Sequence, residues 1–289
     1  MFIILRKRSI WVANCKFSSA VVAFFSTFVP EKYISTVKLI PKELIEKYAL
    51  SKDYSDNVNI ILIRICIFLL IIIVVTIIRT IYLIFRRVYI KGNNYIIQIQ
   101  YGNLVKMHNC KKVIAFDECF TTVIGEGTWQ IKPHSICGQY LAANQLNEEK
   151  IRELIKNARV TSLDSRSKYN NMVRYKSGKL VPNGDDLLLA FAKLNERGLG
   201  ELTYDEFLDA LSTLWQEIDA YYAGKDVCIS ILGSGCTRIE GKSLTQQQLL
   251  DIIIASYRLS SHKIKLPYQL HIVCKRQDNF SLNKIGENI

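Results

Sequence analysis

At 289 residues the chain is long enough for one good-sized domain and a membrane module besides. Its formal net charge of +12 is no sign of a nucleic-acid partner, because several basic residues flank apolar segments and no RNP, zinc-finger or basic-zipper signature is present. The eight cysteines, at 15, 66, 110, 119, 137, 228, 236 and 274, form no CxxC pair and have no histidine at zinc spacing, which argues against a structural metal or disulfide framework and suits free thiols in a reducing cytosol.

The chain opens with Arg6, Lys7 and Arg8, and then Ile10 to Val29 is largely apolar, ending at Pro30. Lys16 interrupts it and no Ala-x-Ala site follows, so a first transmembrane helix over 10–29 is expected rather than a cleaved signal. Its polar residues, Asn14, Lys16, Ser18, Ser19, Ser26 and Thr27, have two readings. Lys16 snorkels to the basic end, or the Ser and Asn side chains face partner helices or water in an oligomer. The linker, Pro30 to Asn57, carries five lysines and five acids. Pro41 opens a short expected helix with Leu44, Ile45 and Tyr48 on one face.

Val58 to Phe85 is the strongest segment. Between Arg64 and Arg79 only Thr76 is even weakly polar. Those residues alone cover about 21 Å, and the apolar residues outside each arginine extend the stretch toward the roughly 30 Å of a bilayer core. A soluble core helix rarely carries Ile, Leu and Val around its whole circumference. A second span over 58–85 is therefore expected. The outer flanks are basic, with Arg86, Arg87 and Lys91 following, so both termini are expected in the cytoplasm.

Beyond Lys91 the composition changes. Tyr95–Tyr101, Val113–Asp117, Val227–Leu232 and Leu266–Cys274 read as strands. Glu148–Ala158, Tyr204–Tyr222 and a segment starting at Ser243 or Thr245 read as helices, the second with a capping box of Thr203 and Glu206. Asp185–Leu194 is undecided by periodicity. Strands alternating with helices make this an α/β domain of three layers, over about 91–289.

In Ile229–Ile239, ISILGSGCTRI, an apolar strand runs into Gly233-Ser234-Gly235. Glycines let backbone approach a ligand closely and aim several N–H groups at one anion. In α/β sheets ligands bind beyond the carboxyl ends of strands. A P-loop is excluded, since no Gly-Lys-Ser/Thr follows. Arg238 can meet a phosphate or carboxylate, or pair with Asp226 or Glu240. Each of the four histidines stands alone in local sequence, and no nucleophile–base pair is evident.

The pieces VIAFDECFTT, IKPHSICGQYL, LLLAFAKLN, LWQEIDAYY and ISILGSGCTRI, in that order over about 110–275, resemble the macro domain of Thoeris antiviral effectors, in the branch where it follows two transmembrane helices. The resemblance implies a macro-like three-layer α/β/α fold with a mixed sheet. It implies binding of an ADP-ribose derivative, cyclised or conjugated to an amino acid such as histidine, made from NAD by a TIR-domain enzyme. It further implies a homo-oligomer that disrupts or permeabilises the bacterial inner membrane. No resident cofactor, metal or catalytic residue is expected. On this resemblance Asp117, Glu118, Phe120 and Thr121 lie in the loop after a central strand, where an acid can accept from an adenine amino group. Ser135 and Gly138 pass near the distal ribose, and Gly233, Ser234, Gly235, Cys236, Thr237 and Arg238 wrap the diphosphate. The chain has Asp117-Glu118-Cys119-Phe120 where hydrolytic macro domains have Asn-Ala-Ala-Asn, which counts against de-ADP-ribosylation. The readings on the other side are that Phe120 is core and Cys236 a small packing residue. Two rival functions are a membrane-tethered hydrolase of ADP-ribose derivatives and a structural anchor that binds a protein partner.

Overall fold

The structure, a computed structural model, describes residues 12, 15–17, 19–21, 23, 52–84, 87–127, 129–239, 244–277 and 280–285. It divides into two compact units, Met1–Phe85 and Arg86–Ile289.

In the first unit α1 is Lys52–Ile84. It begins ahead of the expected 58–85, and its 33 residues measure about 50 Å, longer than a bilayer core is thick. The stretch Asp56–Ile78 is long and apolar enough to cross a membrane. Its Ile61, Leu70, Ile73 and Ile78 side chains are all more than half exposed, an arrangement that suits lipid or a partner and not water. Asn59 and Thr76 are buried instead. One apolar helix is thus present among the described residues where two were expected. Of the expected 10–29 span, the described residues Val12, Cys15, Lys16, Phe17, Ser19, Ala20, Val21 and Ala23 are helical. The rest of that span, and the helix expected after Pro41, lie outside the described residues.

The second unit is built on one mixed sheet. The chain makes β1 (Arg87–Gly92), β2 (Tyr95–Tyr101) and β3 (Cys110–Asp117), then the helices α2 (Ile136–Asn144) and α3 (Glu148–Asn157). There follow β4 (Leu180–Asn183), β5 (Asp186–Leu194), β6 (Gly200–Leu202) and α4 (Tyr204–Tyr221). Next come β7 (Asp226–Ser230), β8 (Arg238–Ile239), α5 (Gln246–Leu259) and β9 (Leu270–Cys274). The sheet runs β1-β2-β9-β7-β3-β5-β6-β8, with β4 also paired to β5. Strands β2, β9, β7, β3 and β5 are mutually parallel. β1 is antiparallel to β2, and β4 and β6 are antiparallel to β5.

Alternate residues of each central strand enter opposite cores. Ile97, Val113, Leu187, Leu189 and Ile229 pack with Leu211, Trp215 and Ile253 of α4 and α5. Ile114, Phe116, Leu188 and Ala190 pack with Tyr140, Leu141, Ile151 and Ile155 of α2 and α3. Two helical layers therefore sandwich the sheet, as expected. The undecided segment is β5, buried on both faces because strands flank it and helices cover it. The Thr203–Glu206 capping box is formed, and Thr245 makes a second one with Gln248. β1 precedes the expected start of the domain at residue 91.

Candidate functional site

The five parallel strands all end on one edge, and that edge carries the expected loops. β3 ends at Asp117 and its neighbour β7 ends at Ser230. From Ser230 the chain must reach β8, which pairs with β6 through Glu201↔Arg238 and Leu202↔Ile239. Between β7 and β8 in the sheet lie β3, β5 and β6. Residues 231–237 therefore cross the carboxyl ends of β3 and β5, with Ile231 and Leu232 packed into the core on the α4–α5 side.

Glycine is needed in this crossing. Gly233 has φ +80°, in the left-handed region. At Gly235 a Cβ would meet nothing within 4 Å, so this stretch of backbone lies open to a ligand. Ser234 is spent locally, its Oγ donating to Ile231 O at 2.6 Å. Cys236 and Arg238 are exposed and Thr237 is half-buried. Of the partners considered for Arg238, Asp226 faces His271 instead, at 3.0 Å, and Glu240 lies outside the described residues. A small residue is required where the crossing strand lands. A Cβ on Gly200 would stand 2.9 Å from Ala192 Cβ and 3.8 Å from Thr237 Oγ1.

The loop after β3 is held by its own acids. Asp117 Oδ1 accepts the Cys119 N–H at 2.8 Å, and Oδ2 accepts the Thr121 hydroxyl. Burial raises the Asp117 pKa, against the lowering effect of these bonds. Its carboxylate is thus engaged in shaping the loop. Glu118 is 1% exposed. It accepts from Ser167 Oγ at 2.9 Å, Leu194 N at 3.3 Å and Arg174 Nη1 at 3.3 Å, tying the loop to β5 and to the 165–175 segment. Phe120 has φ +52° and is buried, its ring 5.7 Å from Phe116 and 5.6 Å from Tyr175. It is a core residue. Cys119 is no ready nucleophile, since burial pushes its thiol up to about 12.

Ser135 caps α2, accepting the Gly138 N–H at 3.0 Å while donating to Lys132 O. Gly138 lets the helix pass that carbonyl, since a Cβ there would be 2.3 Å from Lys132 O. The start of α2 lies close to the β3 loop: the Asp117 charge, after burial, raises the Cys137 thiol.

Two features escaped the sequence reading. Gly125-Glu126-Gly127 forms a second glycine turn, bound by Gly127 N–H donating to Gln130 Oε1 at 2.8 Å and by Lys132. Its Gly-x-Gly pattern was as visible as that at 233–235. The other is a cavity of about 200 Å³ lined by Glu118, Arg174, Lys193, Glu201 and Glu206, whose members are too far apart in sequence to be seen together.

The sequence model of the macro domain of Thoeris protein ThsA matches residues 97–275. The chain belongs to this family. Thoeris protein ThsA of Bacillus amyloliquefaciens (strain Y2) is 26% identical over 221 residues, covering 74% of this chain and 73% of that protein. Among solved structures the chain is similar to an Oceanobacillus iheyensis macrodomain with ADP, at 9% identity and TM-score 0.44, covering 71% of this chain and 98% of that one. It is also similar to a mutant of that macrodomain with ADPR, at 9% identity and TM-score 0.43, covering 66% and 91%. The ThsA macro family is one of antiviral defence, and its matched region in this chain runs from within β2 through β9, enclosing both glycine turns and the β3 loop.

Proposed function

We propose that this protein is a ligand-gated membrane effector of antiphage defence. Its macro domain holds an ADP-ribose derivative, cyclised or amino-acid-conjugated, supplied by a TIR-domain enzyme. The bound form assembles into a homo-oligomer and disrupts or permeabilises the bacterial inner membrane through α1 and the apolar segment before it, with both termini in the cytoplasm. The observation that carries this reading is the open glycine crossing at Gly233–Gly235, which ends at the exposed Arg238, in a member of the ThsA macro family. Backbone N–H groups and a guanidinium together suit a diphosphate.

Binding without turnover is the better-supported version. Phe120 stands in the core where a hydrolytic loop would carry asparagine, and the Cys119 thiol is held protonated by burial. Coupling to the membrane needs the ligand to prefer the assembled state: moving a population from 1:99 to 99:1 takes about 5.5 kcal/mol of differential binding. Calorimetry with ADP-ribose conjugates, followed by chromatography of the recovered ligand, tests the binding, and nucleotide-dependent leakage from proteoliposomes tests the coupling. No heat with any conjugate would leave the structural-anchor reading. Consumed ligand would leave the hydrolase.

A further inference from the structure

We infer that Cys110 and Cys228 form a buried dithiol that hydrogen peroxide converts reversibly to a disulfide, clamping β3 to β7. Cys110 is the first residue of β3, and Cys228 lies in the middle of the neighbouring strand. Both side chains enter the core on the α2–α3 side, at 4% and 0% exposure, and their sulfurs are 2.7 Å apart. Cys110 begins β3, at the other end of that strand from the anion cradle proposed at Gly233–Gly235, and the inference stands whether or not that cradle takes a nucleotide.

The surroundings favour one thiol as the attacker. The Cys228 hydrogen bond and then the Lys112 charge lower the Cys110 pKa, against burial, Asp226 and Asp185. Lys112 is the Cα partner of Cys228 and Asp226 that of Cys110, while the Asp226 carboxylate faces His271. The Cys110 thiolate attacks peroxide, the O–O bond breaks, and a sulfenic acid and hydroxide result. The Cys228 sulfur then attacks the sulfenic sulfur. The S–S bond forms, the S–O bond breaks, and the thiol proton and the departing hydroxide leave as water. The two sulfurs lose two electrons and the peroxide gains them. The two residues are offset by two positions in the parallel register, Cys110 pairing with Asp226 and Cys228 with Lys112, so the bond crosses the strands diagonally.

The test treats the full chain in detergent with hydrogen peroxide, blocks free thiols, digests and maps the peptides by mass. The expected result is a cross-linked pair carrying Cys110 and Cys228, lost on dithiothreitol. The bond encloses over a hundred residues, so the oxidised wild type should melt about 5 °C or more above the reduced. Peroxide should give no such rise in Cys228→Ala or Cys110→Ser. Both thiols still free to alkylation in the unfolded, peroxide-treated wild type, with oxidation confined to Cys119 or Cys236, would overturn the inference.

Discussion

Removing the Arg174 guanidinium should destabilise the macro domain through Glu118, a residue it meets from 56 positions away. The Glu118 carboxylate is 1% exposed and has three protein donors, of which only Arg174 is charged. Taking away one partner of a buried ion pair costs about 3–5 kcal/mol, because the other charge stays buried. Here the contact is a single N–H···O at 3.3 Å, and the Arg174 side chain is 22% exposed, so water can replace part of it. We therefore expect about 2–3 kcal/mol for Arg174→Ala. At roughly 2–4 °C per kcal/mol for a domain of this size, the melting temperature should fall by about 5–10 °C. Glu118→Gln keeps the shape without the charge, so Arg174→Ala should cost much less in that background. The assay is thermal or urea unfolding of the two single variants and the double variant. An Arg174→Ala midpoint within about 1 °C of wild type, or an equal cost in both backgrounds, would refute the reasoning.

The raised Asp117 pKa gives a stability contribution that is full below the ordinary value of 3.8 and lost as pH rises through the folded value. Asp117→Asn should therefore flatten that fall, and parallel urea titrations from pH 4 to 7 with equal slopes for both proteins would count against it. Arg238 is exposed, so Arg238→Ala should leave the melting temperature unchanged and weaken ADP-ribose binding about 10- to 100-fold, for a lost charged hydrogen bond of about 1.5–3 kcal/mol. Unchanged affinity by calorimetry would remove Arg238 from the cradle. Phe120→Asn eases a left-handed backbone but empties space beside Phe116 and Tyr175. It should cost about 2–3 kcal/mol in urea unfolding and confer no turnover of ADP-ribose esters. Newly released product would contradict that.

What could be read in the sequence was what is decided locally. Thr203 and Glu206 announce α4 because a capping box needs only residues three apart. Gly233-Ser234-Gly235 announces the crossing loop because a positive φ is a property of one residue. β5 could not be told from a helix, since a strand buried on both faces loses its alternation. β1 was hidden because Arg87 and Lys91 read as the charged flank of a membrane segment, although they occupy the exposed positions of an edge strand. The site divides along the same line. Asp117 and Glu118 have the residue type of ligand acceptors, but sequence does not say where a carboxylate points. Asp117 turns back on its own loop, and the three donors to Glu118 come from 49, 56 and 76 residues away. The carboxylates of the β3 loop are thus already engaged in holding that loop. Among the described residues, the crossing loop exposes the backbone around Gly235, Cys236 and the Arg238 guanidinium. Backbone N–H groups and a guanidinium suit the holding of an anion, which is the chemistry the proposed binding reading calls on.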